Sequence, residues 1–329
     1  MTRIFTNAAI AGVAALAFAC SSAAQAQEFG SPELIAAAKA EGKLVYYTAN
    51  FAEVEQQVIK AFNKRFPEIK IEMVRAPGGQ LITRIKTEAA AGKLPAMFYL
   101  AGLTCNEETF MTKGGAQRVA AREGMILVAP DTSPRGAGVA GEADAWDFGV
   151  GAGFYVDATV DPWRSNYRMY SYILELRELL VAELPLDAGR IGIFGHSMGG
   201  HGALVLALRN PGLFRSVLAF APIAAPSRCP WGRKAFSGYL GTDESSWRAY
   251  DASELMSQAS APFPAGILID QGLADKFLGD QLYPEAFEAA CRHAGQPLEL
   301  RRHAGYDHGY YFISTFMEDH LNFHSANLG

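Results

Sequence analysis

Cysteine is scarce in this sequence. Cys20, Cys105, Cys229 and Cys291 are the only four in 329 residues, and no two stand at the short spacing of a zinc site or a disulfide framework. Such usage fits a reducing compartment. Charge is also in short supply. Only 19% of residues are charged, the net charge is −5, and no basic run interleaves with aromatics, which excludes the footprint of a nucleic-acid binder or of an anionic membrane surface. No apolar run reaches the ~20 residues a membrane-spanning helix needs, so no stable membrane association is expected. The chain is rich in hydrophobic residues, 50% of the total, enough for one large core or two modest ones, and a small molecule is the expected partner.

The longest apolar stretch near the N-terminus, residues 8–19, follows Arg3 and precedes Ala24-Gln25-Ala26, the layout of a secretory signal peptide over residues 1–26. Phe18 stands before Cys20 where a lipoprotein signal carries a small residue, so lipidation is not expected. An export signal conflicts with the cysteine usage. A second discontinuity falls near Ala96. Residues 27–96 hold seven Lys and three Arg, residues 97–329 hold three Lys and fifteen Arg, and every His and Trp lies in the later part, so two segments of different history are expected.

Hydrophobic periodicity in the first segment predicts βαβα, with strands over 43–48 and 69–74 and helices over 54–66 and 81–91. In the second, strands over 97–100, 125–129, 190–194, 216–220, 266–270 and 298–301 alternate with helices over 108–122, 167–184, 198–209, 283–294 and 311–326. Strands alternating with helices imply an α/β fold, a mostly parallel sheet flanked by helices on both faces.

Between the strand 190–194 and the helix 198–209 stands Gly195-His196-Ser197-Met198-Gly199, followed by Gly200. A strand-to-helix turn that exposes a serine needs small residues two before and two after it, so Ser197 is the expected nucleophile. A serine hydroxyl requires a base, and in a fold of this order the base follows the acid. His196 and His201 lie too near the elbow, His293 falls in a helix, and His320 and His324 are expected on the surface of the last helix. Of the remaining pair, His308, in the loop Gly305-Tyr306-Asp307-His308-Gly309, is preferred over His303, which ends a strand. Asp275 follows the strand 266–270 and is the expected acid, whereas Asp270 within it is expected to be structural and Asp280 too distant. Charge developing on a carbonyl oxygen needs backbone N–H donors: one from Met198, another from the turn Gly102-Leu103-Thr104-Cys105, with Cys105 either bordering the pocket or simply buried. Asp147-Phe148-Gly149 lacks the partners of a kinase motif, and Gly149, Gly151 and Gly153 do not complete a dinucleotide fingerprint, so no cofactor and no metal are expected.

From about residue 97 onward the wording closely resembles the S-formylglutathione hydrolase (esterase D) family. The resemblance rests on Leu100 to Cys105, Ala129 to Gly136, Trp146 to Gly149, Gly153 to Thr159, Asn166 to Tyr170, Phe194 to Gly202, Cys229 to Gly232 and Tyr306 to His308. It implies an α/β-hydrolase fold and hydrolysis of S-formylglutathione and short-chain esters. By the same resemblance Ser197, Asp275 and His308 form a triad and the N–H groups of Leu103 and Met198 an oxyanion hole. The substrate pocket is expected to draw on Cys105, Trp146, His196 and Trp231. The family implies a cytoplasmic enzyme and is compatible with a homodimer. Residues 27–96, from Pro32-Glu33-Leu34-Ile35 through Val45-Tyr46-Tyr47-Thr48 to Lys93-Leu94-Pro95, instead resemble the opening of periplasmic solute-binding proteins of ABC importers. The expected organisation is therefore a signal peptide, a solute-binding-like fragment in place of the usual opening strands, and a hydrolase domain over 97–329.

Overall fold

A computed structural model describes residues 31–48, 51–79 and 93–328. The expected signal peptide over 1–26 and the helix expected over 81–91 lie outside the described residues. The chain divides into two compact units, Met1–Leu81 and Ile82–Gly329.

In the first unit, helix α1 (Pro32–Glu41) opens on Ser31, whose hydroxyl accepts the Leu34 N–H at 3.2 Å, and closes on Gly42 in the left-handed region at φ 66°. Strand β1 (Lys43–Thr48), helix α2 (Ala52–Arg65) and strand β2 (Lys70–Arg75) follow, and the strands pair in parallel with Lys43 opposite Lys70. Glu55 of α2 is buried and accepts hydrogen bonds from the Tyr46 hydroxyl at 2.7 Å and the Thr48 hydroxyl at 3.0 Å, so the helix is tied to β1 by a polar contact.

The second unit is built on strands β3 (Leu94–Leu100), β4 (Ile126–Val128), β5 (Leu186–His196), β6 (Ser216–Phe220), β7 (Ile267–Gly272) and β8 (Leu298–His303). They form one parallel sheet in the order β4-β3-β5-β6-β7-β8. Strands β6 and β7 are buried along their whole length and β3 and β5 over their C-terminal halves, as strands covered on both faces must be, and apolar runs such as Val217-Leu218-Ala219-Phe220 follow. Helices α3 (Glu107–Lys113), α4 (Gln117–Arg122), α5 (Met169–Glu183), α6 (Met198–Arg209), α7 (Pro230–Leu240), α8 (Glu244–Trp247), α9 (Ala252–Ser257), α10 (Pro284–Ala294) and α11 (Tyr310–Leu328) make the connections and flank the sheet. The single helix expected over 108–122 is two, because Gly114-Gly115 interrupts it with Gly115 at φ 71°, a conformation helices exclude. Among the described residues no helix is long and apolar enough to cross a membrane.

One expectation is overturned on α11. His320 and His324 are fully buried rather than on the surface. His320 stacks on Phe220 with ring centroids 3.6 Å apart, and the Nδ1 of His324 lies 2.6 Å from the Ser216 hydroxyl. An imidazole can go inside once one nitrogen has a partner and the ring has an aromatic face to cover.

Asp270, at the end of β7, is the anion of this interior. Its carboxylate is fully buried and meets Arg301 through two contacts of 2.6 Å, His303 at 2.9 Å and His320 at 3.0 Å. Burial alone would raise its pKa, but hydrogen bonds from Arg301, then His320 and His303, hold it well below the usual carboxylate range. Asp270→Ala would leave Arg301 with Asp319 alone and take the hydrogen-bond partner of the buried His320 Nε2, and is expected to cost about 3 kcal/mol of stability. Urea unfolding measures it, and a loss under about 1 kcal/mol would mean that solvent replaces the carboxylate there.

Candidate active site

Ser197 sits where β5 turns into α6, at φ 57° and ψ −118°. A side chain in that region stores about 1–3 kcal/mol of strain, which persists only where the surroundings over-determine it. Here the Ser197 N–H donates to the Phe220 carbonyl at 2.9 Å, and its own carbonyl accepts from His201 at 3.0 Å and Ile223 at 3.1 Å. The flanking glycines are dictated by contact. A Cβ at Gly195 would lie 2.3 Å from the Gly199 carbonyl oxygen, and one at Gly199 would lie 2.0 Å from that of Leu100. The elbow therefore presses on the end of β3, whose next turn carries the second expected donor.

That turn passes within van der Waals reach of the serine. A Cβ at Gly102 would be 3.2 Å from Ser197 Cβ. Thr104, at φ 67°, donates its N–H to the Gly151 carbonyl at 2.8 Å, and the Cys105 N–H reaches the Gly102 carbonyl at 3.3 Å, while the Leu103 N–H between them has no acceptor among the described residues. The Met198 N–H, on the first residue of α6, belongs to the helix-end donors that have no intrahelical partner. Two unsatisfied donors thus flank Ser197. The turn is held from outside: the Cys105 carbonyl accepts from the Thr132 hydroxyl at 2.5 Å and from Arg135 at 3.0 Å, and Arg135 grips Asp131 through two bonds. The run Asp131-Thr132-Ser133-Pro134-Arg135 acquires a physical role here as a clamp.

His308 occupies the loop between β8 and α11, and its Nδ1 lies 2.5 Å from Asp275 Oδ2. Asp275 is buried in the loop after β7, where its carboxylate also accepts the Phe277 N–H at 2.9 Å and the Gln271 amide at 3.4 Å. A Cβ at Gly272 would lie 2.4 Å from the Tyr306 carbonyl oxygen, so the two loops can touch only because that residue is glycine. With Nδ1–H donated to Asp275, the other nitrogen of His308 is left as the acceptor. The ring stands 4.3 Å, centroid to centroid, from His196 in the elbow. His303 points elsewhere, to Asp270, as a strand-end histidine would.

The four expected pocket residues have different fates. His196 is buried beside the elbow with no hydrogen-bond partner for either ring nitrogen among the described residues, and burial, then the neighbouring His308, push its pKa well down, which favours the neutral ring. Cys105 is half-buried beside the Tyr310 hydroxyl and Thr109, and burial pushes its thiol up, which keeps it protonated and a poor nucleophile. Trp146 is 59% exposed and meets Trp231 edge-on at 5.7 Å. Trp231 continues to Phe277 at 4.8 Å, and Phe277 to His308 at 5.0 Å. An aromatic line therefore leads from solvent to the histidine, and an ion pair between Lys234 of α7 and Asp147 ties the Trp146 loop to it. Phe277 was missing from the sequence reading; its only signal was an aromatic two positions after the expected acid.

A parallel α/β sheet with a strained serine at the end of its central strand, an acid and a histidine from later loops, and free N–H groups around the serine define an α/β-hydrolase of the esterase class. The Esterase family model matches residues 84–323. The S-formylglutathione hydrolase of Rattus norvegicus is 52% identical over 271 residues, which cover 82% of this chain and 94% of that protein. That of Arabidopsis thaliana is 53% identical over 242 residues, covering 73% and 84%. The solved structure of an S-formylglutathione hydrolase from Agrobacterium tumefaciens superposes with a TM-score of 0.71 at 49% identity, covering 74% of this chain and 88% of that one. The chain belongs to the S-formylglutathione hydrolase family. The likeness also begins earlier than expected: the family model starts at residue 84, and the rat match spans more of the chain than the part after Met97 can supply.

Proposed function

We propose that this protein is a serine thioesterase that hydrolyses S-formylglutathione to glutathione and formate, with short-chain esters as secondary substrates. The observation that carries the reading is the Asp275–His308 pair, 2.5 Å apart, beside an elbow whose serine is held at a strained positive φ. Identities of about 50% to proteins of that activity support the substrate.

In this reading His308 takes the proton of Ser197 as Oγ attacks the formyl carbonyl carbon. The oxyanion forms against the Leu103 and Met198 N–H groups, where each donor is worth about 10²–10³ in rate. The carbon–sulfur bond then breaks, and the departing glutathione sulfur takes the proton from His308, which frees the imidazole to act as a base again. Water loses a proton to His308 and attacks the formyl ester on Ser197; the bond to Oγ breaks, Oγ recovers the proton from His308, and formate leaves. Asp275 holds the ring in the tautomer that keeps the working nitrogen unprotonated at the start. The line of Trp231 and Phe277 excludes water along one wall. Because Cys105, Cys229 and Cys291 are all free thiols, we place the enzyme in the cytoplasm, where thiols stay reduced.

The rival reading, a solute-binding module, would rest on residues 27–96 alone, and similarity to hydrolases over 82% of the chain weighs against it. Thiol release from S-formylglutathione by the full-length protein tests the proposal. A kcat/KM above about 10⁴ M⁻¹s⁻¹, well over that for a short-chain nitrophenyl ester, is expected. Ester turnover with no thioester turnover would overturn it.

A further inference from the structure

Beside the turn that carries Leu103 lies a cleft of about 390 Å³, lined by Lys113, Tyr310, Tyr311 and Ser314. Its volume is in the range of small-molecule sites. It opens between the end of α3 and the first turn of α11, the helix that follows His308 directly. Tyr310 forms the wall shared with the active site: its ring is 6.1 Å from that of His196, and its hydroxyl meets Tyr99 at 3.3 Å and neighbours the Cys105 thiol. Lys113 extends over the same tyrosine, its ammonium 5.9 Å from the ring centroid, and forms no ion pair with any described residue. A lysine at a helix C-terminus needs no further explanation by itself. The surroundings do: Tyr311 is 91% exposed, a large ring facing water with nothing over it, and the Ser314 hydroxyl lines the same cleft.

We propose that this cleft binds a carboxylate end of the glutathione group, with Lys113 as the counter-charge and Tyr311 and Ser314 bordering the peptide. The inference rests on the thioesterase reading and adds where the leaving group is held. At neutral pH a glutathione thioester carries two carboxylates and one ammonium, so a cation in the cleft gives it an advantage that a neutral ester cannot share. A tripeptide extends about 10 Å, more than the 6.1 Å between the Tyr310 ring on the cleft wall and the His196 ring next to Ser197 in the chain. The aromatic line through Phe277 and Trp231 offers no cation facing His308 from its own side except Lys276, which lies over Phe277 at 4.8 Å.

Steady-state kinetics of the full-length protein and of Lys113→Ala, Lys113→Glu and Lys113→Arg, each with S-formylglutathione and with a neutral nitrophenyl ester, provide the test. For Lys113→Ala the KM for the thioester is expected to rise about tenfold with little change in kcat, and the thioester-to-ester ratio of kcat/KM to fall by the same factor. Lys113→Glu should go further and Lys113→Arg should restore most of the loss. Free glutathione, used as a competitive inhibitor of ester hydrolysis, should weaken in parallel. If the wild-type protein turns over the thioester and KM moves less than about twofold in both Ala and Glu variants, the cleft is not the subsite. Equal losses on both substrates would also overturn it, as a general disturbance of α3. Absence of thioester turnover in the wild type would remove the functional reading itself, and this inference with it.

Discussion

Ser197→Ala is expected to lower kcat for S-formylglutathione by about 10⁵-fold while leaving the protein folded. Alanine keeps the Cβ and the positive φ of the elbow, and every backbone hydrogen bond around residue 197 survives. What disappears is the hydroxyl proposed as the nucleophile. The flanking N–H donors still stabilise an oxyanion formed by attack of water, so activity should fall to a residue above the uncatalysed rate rather than to nothing. Asp275→Asn should give about 10⁴-fold, because an amide in place of the carboxylate favours the wrong tautomer of His308. The two losses should not add, since each disables the same step. Single-turnover thiol release separates chemistry from product release. A Ser197→Ala enzyme that keeps even a hundredth of wild-type kcat would mean that another residue attacks the carbonyl.

The second large effect is expected in acid. His196, His201 and His324 are buried, and burial lowers all three, His201 to about 4. His320 moves the same way, with Asp270 opposing the effect of burial. A histidine neutral in the fold takes up a proton in the unfolded chain near pH 6.5, so between that value and its lower folded-state pKa the unfolded chain binds more protons. Stability is therefore full above pH 6.5 and falls as the pH drops through that window. At pH 5.5 His201 contributes a loss of about 1.4 kcal/mol, and His196 and His324 add to it in the same direction. The melting temperature should be lower by at least about 4 °C than at pH 7.5. Asp270 behaves in the same direction but later, its contribution disappearing only below the usual carboxylate range. A melting temperature flat from pH 7.5 to 5.5 would show that these rings do not remain neutral. His201→Gln, which can keep the bond to the Phe154 carbonyl that His201 Nε2 makes at 3.0 Å, should flatten part of the slope.

How much of this could be read beforehand depended on whether the determining force was local. The strands over 43–48 and 216–220 and the helix over 198–209 have the bounds that periodicity and flanking glycines predict. α7 carries no readable period because Gly232 and Gly238 interrupt its pattern, and α8 and α9, of four and six residues, are too short to show one. The Asp275–His308 contact and the position of Ser197 in the turn after β5 were legible because chain order and loop position restrict which residues can meet. Phe277 was not, since an aromatic line is a property of three separated segments brought together. His320 and His324 misled because polarity marks a surface residue only while no partner waits inside.

The order of strands also sets a timetable. β5 lies between β3 and β6, whereas β7 and β8 extend the sheet from one side in the order in which they leave the ribosome. The elbow strand can find both neighbours while the last hundred residues are still being made. Asp275 waits for the loop after β7, and His308 for the loop after β8. On the proposed mechanism a nascent chain thus carries a shaped serine before its base has been made, and the hydroxyl stays chemically quiet until α11 emerges.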